Sequence, residues 1–168
     1  MNQLLSNSEL STQALCALLA DLLTKNGWLL CSAESCTGGL IAAACTEQSG
    51  SSAWFERGFV TYSNAAKTEL LGVDAALIAS FGAVSEPVVR AMVQGALSRS
   101  AAQMGVAVTG IAGPTGGSPD KPVGTVWFGW SVLGQVSAER CQFAGDRASV
   151  RAASVRQALA GLLRRLPP

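Results

Sequence analysis

Histidine is absent from the 168-residue chain. Without imidazole, neither a Ser-His-Asp triad nor a Cys-His pair can be built, and zinc chemistry loses its usual ligand. No other cluster suggests a metal or cofactor site, so none is expected. A general base must be a carboxylate, a lysine, a tyrosine or water. Charge is also scarce. Asp, Glu, Lys and Arg make up 14% of the residues, against ~25% in an average soluble domain. Lys plus Arg number 12 and Asp plus Glu 11, a net charge of +1. That balance argues against nucleic acid as a partner, because such binding depends on neutralising many phosphates. A small phosphorylated ligand needs only one or two placed cations and stays open. No apolar run approaches the ~20 residues of a membrane span. The start, Met1-Asn2-Gln3-Leu4-Leu5, has no basic flank or apolar core of a signal peptide. The expected location is cytoplasmic, with no membrane partner. A surface so poor in charge needs other cover, and a homodimer or larger homo-oligomer would supply it.

Cysteine is present but unpatterned. Cys16, Cys31, Cys36, Cys45 and Cys141 are odd in number and contain no CxxC spacing. They read as reduced thiols, mostly buried.

Along the chain, residues 1–8 are polar and read as a loose N-terminus, and residues 9–166 as one domain. Leu10, Leu15, Leu18, Leu19, Leu22 and Leu23 recur at helical spacing, and Asn26-Gly27 ends the run. Residues 28–33 form a short apolar run suited to a buried strand. Residues 40–46 read as a helix, 54–62 as a strand, and Ser63-Asn64 as the cap of a short helix closed by Gly72. Asp74 caps another. Ser85 and Pro87 open a helix running to about Gln103. Residues 105–109 form a strand. Residues 110–124 hold five glycines and three prolines, an ordered functional loop or a floppy one. Residues 123–133 and 136–143 read as a hairpin turning at Gly134-Gln135, and Asp146 opens a last helix to about Leu166. This order predicts an α/β protein: a single three-layer α/β/α domain with a mixed sheet. In such sheets ligands sit beyond the carboxyl ends of the strands.

Three segments arrive there, after strands 28–33, 54–62 and 105–109, and a fourth, at the start of the last helix, carries a cation. Ser35, in Glu34-Ser35-Cys36-Thr37-Gly38-Gly39, lies at a strand-to-helix turn beside free backbone N–H groups that can hold an oxyanion. It is either a nucleophile or only a cap, and Cys36 is the rival nucleophile. Tyr62, the only tyrosine, and Lys67 follow the next strand. A desolvated lysine, or a tyrosine in contact with one, can take a serine's proton. The alternative is aromatic packing and a solvated lysine. Thr109-Gly110-Ile111-Ala112-Gly113-Pro114 is either an anion-binding loop or a plain connection. Arg147, in a helix's first turn, suits an anionic ligand, or else pairs with Asp146 or Glu139.

Together with Gly82-Ala83-Val84-Ser85-Glu86, Lys121-Pro122-Val123-Gly124-Thr125-Val126 and Phe143-x-Gly145-Asp146-Arg147, these motifs stand in an order that resembles the C-terminal domain of the CinA family. The resemblance covers roughly residues 10–165, without that family's N-terminal molybdopterin-binding-like domain. It implies an amidohydrolase converting nicotinamide mononucleotide and water to nicotinate mononucleotide and ammonia. It implies Ser35 as nucleophile, with Tyr62 and Lys67 as the activating pair. Backbone N–H groups from Cys36 through Thr37 to Gly38 would hold the oxyanion. Thr109, Gly110, Gly113 and Arg147 would contact the nucleotide. A serine–lysine site of this kind needs no cofactor and no histidine. Two other readings stay open: a non-catalytic nucleotide-binding module of a competence or DNA-damage response, and an amidase for another small amide.

Overall fold

Alternation of apolar and small residues along two central strands decides which side chain faces which helical layer. The computed structural model describes residues 10–167, so the expected loose segment 1–8 lies outside the described residues. Helix α1 (Thr12–Asn26) opens on Ser11, whose Oγ accepts from Ala14 N, and closes on Gly27 at φ 66°. Strand β1 (Leu30–Glu34) leads into α2 (Leu40–Thr46). Strand β2 (Phe55–Val60) is followed by α3 (Asn64–Leu71), α4 (Ala75–Phe81) and α5 (Glu86–Ser98). Strand β3 (Met104–Gly110), the hairpin β4 (Thr125–Val132) and β5 (Gln135–Gln142), and α6 (Arg147–Arg165) complete the chain.

The sheet runs β2-β1-β3-β4-β5. β1 is parallel to β2 and β3, while β4 is antiparallel to both β3 and β5. The chain leaves β1 for β2 on one side and returns to β3 on the other, so the turn after β1 lies where the strand order reverses. α1, α2 and α6 cover one face. There Leu15, Leu19 and Leu23, spaced four apart, pack with Leu30, Val106, Val108, Phe128 and Trp130. Each such buried leucine contributes about 1.5–3 kcal/mol. α3, α4 and α5 cover the other face, where Val88, Val89, Met92 and Val93 meet Cys31, Ala33 and Ala107. The expected α/β/α layers with a mixed sheet are therefore present. All five cysteines are free thiols.

Four local expectations shift. β1 begins at Leu30 and includes Glu34, because its register with β3 starts at Met104. α5 stops at Ser98, short of Gln103. Gln103 instead brackets the start of β1, with its Oε1 accepting from Leu29 N at 2.8 Å. The hairpin turns at Leu133-Gly134, both at positive φ (49° and 87°), which is the two-residue geometry matching strand twist. Ser85 does sit at the start of α5, but its Oγ donates to Gly82 O rather than capping the helix.

Candidate active site

Period-two alternation sends Glu34 and Ser35 in opposite directions from the end of β1. Ser32 and Glu34 face the α2 side, while Cys31, Ala33 and Ser35 face the α3–α5 side. The Glu34 carboxylate is fully buried. Its Oε2 accepts from Gly39 N (3.1 Å) and Ile41 N (3.0 Å), and its Oε1 from Ala42 N (2.9 Å). It therefore satisfies the orphan donors at the start of α2 from five to eight residues away. The chain between is pulled into a tight turn. Gly38 N donates to Ser35 O and Leu40 N to Thr37 O, with Gly38 at φ 59° and Gly39 at φ 101°. Among the described residues, neither Cys36 N–H nor Thr37 N–H donates to another residue.

Ser35 Oγ meets Lys67. The lysine is the fourth residue of α3, whose N-cap is Ser63, and its side chain folds back toward the helix start. Nζ donates to Ser35 Oγ at 3.0 Å and Thr61 O at 2.9 Å, with Tyr62 O at 3.4 Å and Ser63 O at 3.5 Å. Lys67 is 1% exposed and Ser35 9%. Among the described residues, no carboxylate forms an ion pair with Lys67. Burial accordingly pushes its ammonium below the usual lysine range. When Nζ is neutral, its two hydrogens can stay on the carbonyls while its lone pair accepts the Ser35 proton. The thiol of Cys36 is unsuited to the same task. It is buried, and burial pushes it up to about 11.

The other expected site residues separate into two groups. Tyr62 is 60% exposed, and its hydroxyl accepts from Arg147 Nη2 at 2.9 Å. No hydrogen bond joins that hydroxyl to Ser35 or Lys67, so only the Tyr62 carbonyl approaches the lysine. Arg147 Nη1 donates to Gly113 O at 2.9 Å. The ion pairs considered for Arg147 do not form. Asp146 caps α6 by accepting from Ser149 N, and Glu139 pairs with Arg165. Thr109 and Gly110 are occupied structurally. Thr109 Oγ1 donates to Ala83 O at 2.9 Å, and a Cβ on Gly110 would collide with Val126. Gly113, at φ 85°, is drawn into the Arg147 bridge. The glycine loop is ordered: Ile111 N donates to Thr125 O, Gly124 N to Ile111 O, and Lys121 Nζ to Phe81 O.

Sequence reasoning missed two residues. One is Glu34 as the anchor of the turn; its signal was an acidic residue just ahead of a helix start. The other is Arg151, one turn after Arg147 on α6, whose Nη2 donates to Thr37 O at 3.2 Å. Its signal was the four-residue spacing from Arg147.

The family model described as the CinA C-terminal domain matches residues 12–166. The chain belongs to the CinA C-terminal domain family. It is 60% identical over 131 residues to a nicotinamide-nucleotide amidohydrolase PncC of Pseudomonas putida, covering 78% of this chain and 82% of that one. It is 56% identical over 144 residues to the protein of the same name from Enterobacter agglomerans, covering 85% of each. Its structure superposes on that of competence damage-inducible protein A from Klebsiella pneumoniae with a TM-score of 0.90 and 44% identity. That match covers 93% of this chain and 97% of the other. As a CinA-family domain, it has no described helix long and apolar enough to cross a membrane.

Proposed function

We propose that this chain hydrolyses the carboxamide of nicotinamide mononucleotide, releasing ammonia and nicotinate mononucleotide, through an acyl-enzyme on Ser35. The carrying observation is the buried Lys67 Nζ at 3.0 Å from Ser35 Oγ, at a turn with two unpaired N–H groups. The names of its relatives support the substrate.

The Ser35 O–H gives its proton to neutral Lys67 Nζ as Oγ bonds to the amide carbon. The carbonyl oxygen becomes an oxyanion, held by the N–H groups of Cys36 and Thr37. Lys67 then passes the proton to the leaving nitrogen, the C–N bond breaks, and ammonia departs. Water attacks the ester and gives its proton to Lys67. The collapsing intermediate expels Ser35 Oγ, which takes the proton back. Thr61 O holds the amine in place throughout. Arg147, at the exposed rim beside Tyr62 and Gly113, supplies the cation for the phosphate. Binding there orients the distant amide. Tyr62 orients Arg147 and does not act as the base. Cysteines 16, 31, 36, 45 and 141 stay reduced bystanders.

Ammonia release from a panel of nicotinamide mononucleotide, nicotinamide riboside, nicotinamide and small aliphatic amides tests the reading. Turnover of the mononucleotide well above the rest is expected. Equal turnover across the panel would make the protein a general amidase. Binding of the mononucleotide with no ammonia would make it a non-catalytic nucleotide module.

A further inference from the structure

Arg147 and Arg151 stand four residues apart on α6, but they do different things. Arg147 bridges the rim through Gly113 O and Tyr62 OH. Arg151 reaches the Ser35 turn, 114 residues away in sequence, and donates from Nη2 to Thr37 O. Among the described residues, it is the one side chain besides Glu34, at the end of β1, that hydrogen-bonds the backbone of residues 35–39. Its guanidinium lies against the turn itself. A Cβ on Gly38 would sit 3.5 Å from Nη2. The Thr37–Gly38 peptide is thus pinned at both ends: Thr37 O by Leu40 N and Arg151, and Gly38 N by Ser35 O. The N–H groups that would meet an oxyanion belong to the two peptides immediately before it.

Arg151 Nε and Thr37 Oγ1 are both buried without a hydrogen-bond partner. Buried polar atoms are nearly always paired, and an unpaired one weakens the fold. A pair of them, on two residues already tied together beside the nucleophile, indicates that the cation is kept there for the turn.

We infer that Arg151 is a positioning residue for the reaction: it fixes the Thr37 peptide so that the Cys36 and Thr37 N–H groups face the oxyanion formed on the amide attacked by Ser35. This rests on Ser35 being the nucleophile, as proposed above. Arg151 touches neither substrate nor Ser35. It acts through the turn, so its removal weakens the transition state without weakening ground-state binding. Losing one direct oxyanion donor costs about a hundredfold or more. Loosening the peptide next to the donors costs about ten- to a hundredfold.

The test compares wild type with Arg151→Met and Arg151→Lys. Three readouts are taken: kcat and KM for nicotinamide mononucleotide, the rate of Ser35 labelling by a small fluorophosphonate, and Tm. The fluorophosphonate needs the same oxyanion donors but no nucleotide site. For Arg151→Met, kcat and the labelling rate are expected to fall together by about ten- to a hundredfold, with KM within about threefold. Arg151→Lys is expected to recover part of both losses. A raised KM with unchanged kcat and labelling would make Arg151 a ligand contact and overturn the inference. Unchanged kcat and labelling with a lowered Tm would make it structural only and overturn it too. If Arg151→Met does not fold, Arg151→Lys decides: a labelling rate equal to wild type would overturn the inference. Wild type that is labelled at Ser35 yet releases no ammonia from the mononucleotide would sink the substrate assignment alone, and labelling would still judge Arg151. Wild type that is not labelled would sink the Ser35 nucleophile and the Arg151 role together.

Discussion

Replacing Glu34 by glutamine removes a charge while keeping the volume, and its consequences can be worked from three distances. Oε2 accepts from two amides, Gly39 N and Ile41 N, while Oε1 accepts from Ala42 N. Glutamine has one oxygen. Turned toward Gly39 and Ile41, it keeps those two bonds in neutral form, and its NH2 then faces the Ala42 N–H, donor against donor. The lost bond to a charged acceptor is worth about 1.5–3 kcal/mol. The lost attraction between a carboxylate and the start of α2 adds about 0.3–1 kcal/mol. The total, about 2–4 kcal/mol, corresponds to a fall in Tm of roughly 5–15 °C at about 2–4 °C per kcal/mol for a chain of this size. Because the 35–39 turn hangs between Glu34 and α2, activity should fall in the folded protein as well, at temperatures well below the new Tm. Thermal melts followed by far-UV circular dichroism, with ammonia release at 20–25 °C below the variant's Tm, make the measurement. A Glu34→Gln protein that melts within about 1 °C of wild type and keeps full activity would refute the reasoning that this carboxylate holds the turn.

The Cys36 thiol, pushed up to about 11 by burial, should be about one part in ten thousand ionised at pH 7. Native protein should therefore resist alkylation at Cys36, and Cys36→Ala should keep most of its activity; rapid labelling there with loss of turnover would move the nucleophile to sulfur. Lys67 is held below its ordinary 10.5 by burial, so kcat/KM should rise with pH along a limb whose apparent pKa lies below that value. The sign for stability is the same. A buried ammonium costs stability fully below the folded pKa, and the cost is relieved as pH rises from there toward 10.5. A kcat/KM with no rising limb anywhere below that value, at any pH where the protein stays folded, would contradict Lys67 as the base. For Arg147→Ala, a lost charge-assisted contact of about 1.5–3 kcal/mol gives about ten- to a hundredfold in kcat/KM on the mononucleotide. Nicotinamide riboside, lacking the phosphate, should be unaffected, and equal losses on both would remove Arg147 from the phosphate site.

Local chemistry made much of the fold legible. Ser63, Asp74 and Asp146 cap helices as their residue types suggest, and Gly27 and Gly72 close α1 and α3 in left-handed conformation. Strands alternating with helices, then a late hairpin, indicated the layered sheet, and the sheet in turn placed Ser35 at a carboxyl edge. Contacts across long separations were not legible in local patterns: the family resemblance alone brought Lys67 to Ser35 over 32 residues, while Arg147 finding Tyr62 over 85 and Arg151 finding Thr37 over 114 stayed hidden. No periodicity encodes those meetings, which depend on how α3 and α6 dock at the strand ends. The same limit made Tyr62 look like a partner of Lys67. The two are neighbours in sequence, but the phenol leaves the strand on the solvent side and meets Arg147 instead. Thr109 shows the same limit: its place at a strand end gave no sign of the Ala83 carbonyl to which its hydroxyl donates.

The central claim is that Ser35 carries the acyl group and Lys67 moves its proton. It is tested most directly by the initial rate of ammonia release from nicotinamide mononucleotide in wild type and Ser35→Ala, matched for Tm and nucleotide binding. The account predicts that the alanine variant binds the nucleotide nearly as well as wild type and loses at least about a thousandfold in kcat, the scale seen when a nucleophile is removed. A Ser35→Ala protein that still releases ammonia within about tenfold of the wild-type rate would contradict it.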